Sequence, residues 1–227
     1  MATKTLPDAI ALFDLDRTLL AIDADEAWVE FLIAEGALDR ARFEPAMHDV
    51  SERYQRGEIG GEEFCGFYLS TFAQHEPAQL EVWRDRYLVD KIFPAISAAA
   101  RALVAKHRAA GHLVVLTTAA SRFLAAPIAI HLGIDHLIAS EGEMRDGRYT
   151  GRVEGTPNMR EGKIARLDAW LAERGTRLDA FRESWFYSDS RNDVPLLSRV
   201  THPVAVNPDP TLAALAADKG WPALQIR

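Results

Sequence analysis

Apolar residues along the chain follow two rhythms, and the change between them divides it. Short, nearly unbroken apolar runs occur at AIALF (9–13), HLVVLT (112–117), HLIAS (136–140), WFYS (185–188) and PVAV (203–206). Runs of this length and composition read as strands buried on both faces of a parallel sheet. Two of them follow helical segments: SAAARALVAKHRAAG reaches Gly111 before HLVVLT, and SRFLAAPIAIHLG reaches Gly133 before HLIAS. Each glycine stands where a helix end favours a left-handed residue. Strand and helix alternating in this way predict an α/β fold with a doubly wound parallel sheet.

From about Asp23 to Phe93 the spacing is helical throughout. The segments DEAWVEFLIAEG, ARFEPAMHDVSERYQRG, EEFCGFYLSTFAQH and EPAQLEVWRDRYLVD contain no convincing strand. An all-helical module is therefore expected as an insertion after the first strand. The division is 1–22 with 93–227 for a Rossmann-like core and 23–92 for the insert. EMRDGRYTGRV departs from both rhythms, with Asp146-Gly147 between short polar-aromatic runs, and predicts a β-hairpin.

Composition narrows the function. The 227 residues are 48% hydrophobic, ample for one large core, and 26 basic against 33 acidic residues leave a net charge of -7. That balance, with no basic block, argues against nucleic acid or an anionic membrane surface as partner. The single cysteine, Cys65, allows no internal disulfide and fits a buried apolar role in a reducing compartment. The N-terminal stretch MATKTLPDAIALFDLD cuts its apolar run short at Asp14, too early for a signal peptide, and no run has membrane-spanning length. A cytoplasmic protein is expected. Seven histidines are scattered singly with no cysteine nearby, which disfavours a zinc site. Nothing in the sequence fixes an oligomeric state.

The chemistry begins at FDLDRTLL (13–20), where Asp14 and Asp16 end a buried strand. Like charges at such a place are unfavourable unless something offsets them. Residues two apart in an extended segment point the same way, and ligands of doubly wound sheets bind outside the C-terminal strand ends. WFYS runs into DSRND, bringing Asp189 and Asp193 to a second strand end, and HLVVL runs into Thr117 and Thr118 at a third. Lys163 opens a periodic helix in REGKIARL. Taken singly, these are a surface turn, a helix-starting hydroxyl, a solvated lysine and an N-cap. Together they converge on one crevice.

The set resembles the haloacid dehalogenase superfamily, and within it the phosphoserine phosphatase-like hydrolases. The matching residues are DLDRT, LVVLT ending at Thr117, Lys163 in EGKIARL, and DSRND, in the family's order from residue 14 to 193. The resemblance implies that the helical insert is a cap and that the cofactor is Mg²⁺. The implied metal ligands are Asp14, Asp189 and the main-chain carbonyl of Asp16, with Asp193 and Thr18 in supporting places. Asp14 would attack phosphorus to give an aspartyl-phosphate, with Asp16 as general acid and then base. Lys163, the Thr117 hydroxyl, the amides of Leu15, Asp16 and Thr118, and Asn192 are the implied donors to the phosphoryl oxygens. Arg122, Asn158 and Arg160 lie beside the matched motifs and are candidates for contact with substrate or cap.

The same residues admit other readings. FDLDRTLLAIDAD has the carboxylates of a calcium loop, but Leu19 stands where that loop needs glycine and Asp25 where it needs glutamate. A phosphomutase, which shares the aspartyl-phosphate, stays open as an alternative. A non-catalytic scaffold is disfavoured because every matched position keeps its functional group. The substrate is expected to be a small phosphorylated metabolite. Asp23, nine residues after Asp14, keeps a carboxylate for a substrate ammonium, while Gly66 stands about where the resemblance expects an arginine for a substrate carboxylate. An amino-alcohol phosphate such as histidinol phosphate therefore becomes attractive beside phosphoserine. Trp28, Phe31 and Phe67 could line an imidazole-sized pocket, though their spacing suits core packing.

Overall fold

All five residues of β1 (Ala9–Phe13) are buried, and the chain is built outward from it. A computed structural model of the chain describes residues 7–226. After β1 come four helices, α1 (Ala24–Ala34), α2 (Arg40–Arg56), α3 (Gly61–Phe72) and α4 (Pro77–Tyr87). A single π-helical turn, Leu88–Ile92, and a 3-10 turn, Phe93–Ala95, lead back to α5 (Ala98–Ala109). The remainder runs β2 (Leu113–Ser121), α6 (Arg122–Leu132), β3 (His136–Arg145), β4 (Arg148–Glu154), α7 (Glu161–Ala172) and β5 (Glu183–Ser188). It closes with α8 (Val194–Leu197), β6 (His202–Val206), α9 (Pro210–Lys219) and β7 (Ala223–Leu224).

The sheet order is β4-β3-β2-β1-β5-β6-β7, parallel except where β4 returns antiparallel to β3. The expected doubly wound α/β core is present, and each of the five apolar runs is a strand. Alternation sorts side chains between two apolar layers. Ala11, Phe13, Val114, Leu116 and Val204 face one layer, with residues of α1, α5 and α6. Ile10, Leu12, Val115 and Phe186 face the other, with Leu167 and Leu171 of α7 and Leu212 of α9. Ser97 caps α5 by accepting the Ala100 N–H at 3.0 Å, and Gly133 ends α6 at φ 69°. The predicted hairpin joins β3 to β4, with Asp146 and Gly147 at φ 50° and 75°, the left-handed pair that a two-residue hairpin turn requires.

The inserted helices pack onto the first layer without a break. Trp28 is fully buried, 5.2 Å from the Tyr87 ring and 6.1 Å from Phe123 at the start of α6. Phe31 joins the same cluster and Phe67 packs at its edge, so all three aromatics serve packing. Buried His107 lies 2.8 Å from both His112 Nδ1 and the Tyr187 hydroxyl, and burial, with His112 and Lys106 adding to it, pushes its pKa down to about 4. Among the described residues no helix is long and apolar enough to cross a membrane. The first six residues of MATKTLPDAIALFDLD lie outside the described residues.

Candidate active site

β1 has β2 on one side and β5 on the other, so successive connections leave it in opposite directions. This is the switch point at which an open α/β sheet binds ligands beyond its C-terminal edge. There the chain tightens: the N–H groups of Thr18, Leu19 and Leu20 converge on the Leu15 carbonyl at 3.3, 2.9 and 2.9 Å. Leu15, Leu19 and Leu20 are buried and anchor the turn, which carries Asp14, Asp16 and Thr18 past the sheet.

Lys163 enters from the first turn of α7. Gly162 makes this possible, because a Cβ there would collide with the Pro157 carbonyl oxygen. The Lys163 ammonium, 3% exposed, donates to Asp14 Oδ1 and Asp193 Oδ2, each at 2.7 Å. Ser188 donates to the same Asp193 oxygen at 2.7 Å. Thr18 Oγ1 stands 3.2 Å from Asp14 Oδ2 and 3.4 Å from Asp189 Oδ1, with one proton to give, and accepts the Asp189 N–H at 3.0 Å. Asp16 is turned away from this pair. Its Oδ1 accepts the Ala24 N–H at 2.7 Å and its Oδ2 the Thr118 hydroxyl at 3.3 Å.

Electrostatics separates the carboxylates. Burial pushes Asp14 up to about 6, even though Lys163 pulls it down. Asp16 is raised well above the carboxylate range by burial and then by Asp23, Asp14 and Asp25. A carboxyl held protonated beside one held closer to ionised is the arrangement that divides acid from nucleophile. For Lys163, burial favours the neutral amine, but the charges of Asp14 and Asp193 outweigh it and raise its pKa.

Asp189 is pushed up to about 8 by burial and then by the charges of Asp14 and Asp193. The Asp14–Asp189 pair is therefore short of positive charge on the side away from Lys163. Its free oxygens are hard donors gathered at one hydroxyl. Among the described residues no group of three His, Cys, Asp or Glu side chains is placed to hold a metal. Two carboxylates with a backbone carbonyl, leaving further positions to water and ligand, fit Mg²⁺.

The structure thus gathers Asp14, Asp16, Thr18, Thr118, Lys163, Asp189 and Asp193. Asn192 and Asp23 line the same cavity, whose volume is about 610 Å³. Leu15 contributes through its backbone N–H, which lies against the Asp14 carboxylate and lowers its pKa. Two placements differ from the sequence reading. The Thr117 hydroxyl accepts from Asn158 Nδ2 at 3.0 Å and lies in the interior, whereas the neighbouring Thr118 hydroxyl meets Asp16. Successive strand residues face opposite sides, so the two threonines exchange places. Arg122 is turned to Glu141 at 2.6 Å and lines a separate cleft with Trp170 and Arg174. Asn158 braces the interior, donating also to the Thr118 and Ile138 carbonyls.

Of the further lining residues, Arg160 was a candidate from the sequence, and the others escaped sequence reasoning. Tyr54, Phe64 and Ser51 come from α2 and α3, and Arg160, Arg191 and Met159 from the loops before α7 and α8. Arg160 stacks 4.1 Å over the Tyr54 ring, donates to the Tyr54 carbonyl at 3.0 Å and reaches Asn192 Oδ1 at 3.3 Å. Arg191 donates to the next carbonyl, Gln55. Two loops of the sheet edge therefore grip the C-terminal end of α2, where unpaired carbonyls favour cations. Arg17 bridges Asp23 at 3.2 Å and Glu26 at 2.6 Å. The Asp23-x-x-Glu26 spacing on one helix face is the signal that could have paired them.

A fold and a floor of this kind define a class of hydrolase, and comparison with known proteins gives the same class. A profile of haloacid dehalogenase-like hydrolases matches residues 11–198. A histidinol-phosphatase of Neisseria meningitidis is 40% identical over 96% of this chain and 99% of its own length. A Bordetella pertussis protein of unknown function superposes with TM-score 0.93 and 47% identity, covering 98% of this chain and 100% of that one. A phosphoserine phosphatase solved as an analogue of its phospho-aspartyl intermediate shares the fold, with TM-score 0.68 and 18% identity over 96% of this chain and 93% of that one. The chain belongs to the haloacid dehalogenase-like hydrolase family and is a phosphatase of it, a hydrolase of phosphoric monoesters.

Proposed function

We propose that the chain is a Mg²⁺-dependent phosphatase of a small phosphorylated metabolite, working through an aspartyl-phosphate on Asp14, with histidinol phosphate as its substrate. The observation that carries this reading is the buried Lys163 ammonium held between Asp14 and Asp193, with a second carboxylate, Asp189, meeting Asp14 at the Thr18 hydroxyl. Asp14, Asp189 and the Asp16 carbonyl would hold Mg²⁺, which would supply the positive charge an anionic nucleophile needs to approach a phosphate dianion.

The chain's own groups do the rest. Asp14 attacks phosphorus as the bond to the ester oxygen breaks, and Asp16, protonated, gives its proton to the leaving alcohol. Asp16 then takes a proton from the water that cleaves the acyl phosphate. Lys163 lies at the cavity floor, where the transferring oxygens gather charge, while the buried Thr118 hydroxyl stands behind Asp16 and donates to it. Residues 23–92 act as the cap over a core of 1–22 and 93–227, and Arg160 and Arg191 hold it closed to exclude water.

The substrate follows from the walls. Asp23 and Glu26 present an acidic face, α3 adds Phe64 and no cation to the lining, and the 40% identical relative carries the name histidinol-phosphatase. The reading also places the enzyme in the cytoplasm. It is tested by release of inorganic phosphate from a panel containing histidinol phosphate and phosphoserine, with and without chelator. The expected result is chelator-sensitive release with histidinol phosphate at the higher kcat/KM. Migration of the phosphate within the substrate without release would favour the mutase reading, and chelator-resistant release would remove Mg²⁺ from the account.

A further inference from the structure

The acidic wall of the cavity already contains its own cation. Asp23 is fixed as the N-cap of α1: its Oδ1 accepts the N–H groups of Asp25 and Glu26 at 3.1 and 3.0 Å, which leaves Oδ2 for Arg17. Glu26, one helical turn on, takes the other guanidinium nitrogen. Arg17 is held rigidly. Its backbone is left-handed at φ 54°, its N–H donates to the Ile22 carbonyl at 3.1 Å, and its carbonyl accepts from Asn207 Nδ2 at 3.2 Å. A non-glycine residue in that region is uncommon and persists where surrounding contacts fix it.

The charges do not balance. Two carboxylates face one guanidinium, so the wall keeps one negative charge, and Glu30 on the next turn adds the same sign to Glu26. Arg17, Asp23 and Glu26 all line the cavity that Asp14 and Lys163 floor, so this charge faces the leaving group and not bulk solvent alone. A leaving group with one positive charge neutralises it. One that adds a carboxylate restores the excess at this wall, and the other guanidinium groups of the lining, Arg160 and Arg191, are turned to the Tyr54 and Gln55 carbonyls.

We propose that Glu26 is a specificity-determining residue, and that Glu26 and Asp23, half neutralised by Arg17, select phosphate esters whose leaving group carries one positive charge and no carboxylate. This rests on the phosphatase reading above and does not require that histidinol phosphate be the substrate. Arg17 sets the strength of the selection from inside the protein, by deciding how much of the pair's charge is left for the ligand.

The test compares kcat/KM for ethanolamine phosphate with that for propyl phosphate, a neutral ester of similar size, with phosphoserine as a third substrate. The phosphate end is common to all, so its contribution cancels in the ratio. Wild type should favour the cationic ester over both others. In Glu26→Gln the cationic-to-neutral ratio should fall ~10-fold, the scale of a charge-assisted contact. In Arg17→Gln the same ratio should rise, because the wall then holds two uncompensated charges. Opposite movements distinguish charge selection from mere damage, which would move both variants alike. Equal ratios in wild type and both variants, or a fall in both variants, would overturn the inference. If histidinol phosphate proves a poor substrate while the ratios move as stated, the substrate assignment fails and the role of Glu26 stands.

Discussion

Replacing Asp14 by asparagine brings turnover to below about 10⁻³ of the wild-type rate, as expected when a reaction loses its nucleophile. The structure gives a reason for the fold to survive. Asp14 is buried, and burial already raises its pKa to about 6, so ionisation there is unfavourable and a neutral isostere relieves part of that cost. Lys163 keeps Asp193 as its counter-ion at 2.7 Å. The result should be an inactive protein with a thermal midpoint close to wild type, measured by phosphate release and by calorimetry. Retained hydrolysis would reject the assignment.

Lys163→Met has a different outcome, because here the fold suffers as well. The ammonium is the shared partner of two buried carboxylates, and its removal leaves Asp14 and Asp193 facing an apolar chain. Breaking such a buried pair from one side costs about 3–5 kcal/mol. Asp14 protonation would soften the loss, but a protonated carboxyl is no nucleophile, so stability is regained only at the expense of activity. We expect a lower denaturant midpoint together with a kcat/KM reduced by about 10²-fold or more. Arginine should not restore it, since a planar fork does not fit a site that closes at 2.7 Å on both sides of a compact ammonium. A Lys163→Met protein with unchanged midpoint would show that the pair is not the internal brace described here.

Much of the site was legible because its parts sit where backbone periodicity is strong. Buried strands announce their own ends, so Asp14, Asp189 and the Thr117-Thr118 pair could be placed at one sheet edge from AIALF, WFYS and HLVVL alone. Which threonine faces the floor was not legible. The answer depends on which face of β2 each residue takes: both threonines pair in regular register, with Ile138 and Ala139, and a run buried on both faces does not mark which side carries the site. Arg122 failed for a related reason: its nearness in sequence to Thr118 says nothing of the direction in which α6 starts, and Glu141 on β3 captures it.

The side walls were the least readable. Tyr54 and Phe64 lie in helices whose apolar spacing looks like ordinary packing, and only the meeting of α2 with the Arg160 loop brings them to the cavity. Arg160 itself stands at φ 49°, a left-handed backbone for a residue type that rarely adopts it. No local preference predicts that geometry. It results from tertiary contacts, here the Tyr54 carbonyl and Asn192, overriding what the residue would do alone.

The central claim is that phosphorus is transferred to the Asp14 carboxylate before water receives it. Acid quenching within the first turnovers, followed by peptide mass spectrometry, examines this directly. The account predicts a phosphoryl adduct on the peptide containing Asp14, absent from Asp14→Asn and lost on standing at alkaline pH. An enzyme that turns over while its adduct sits on another residue, or that never carries one under conditions where it should accumulate, would contradict it.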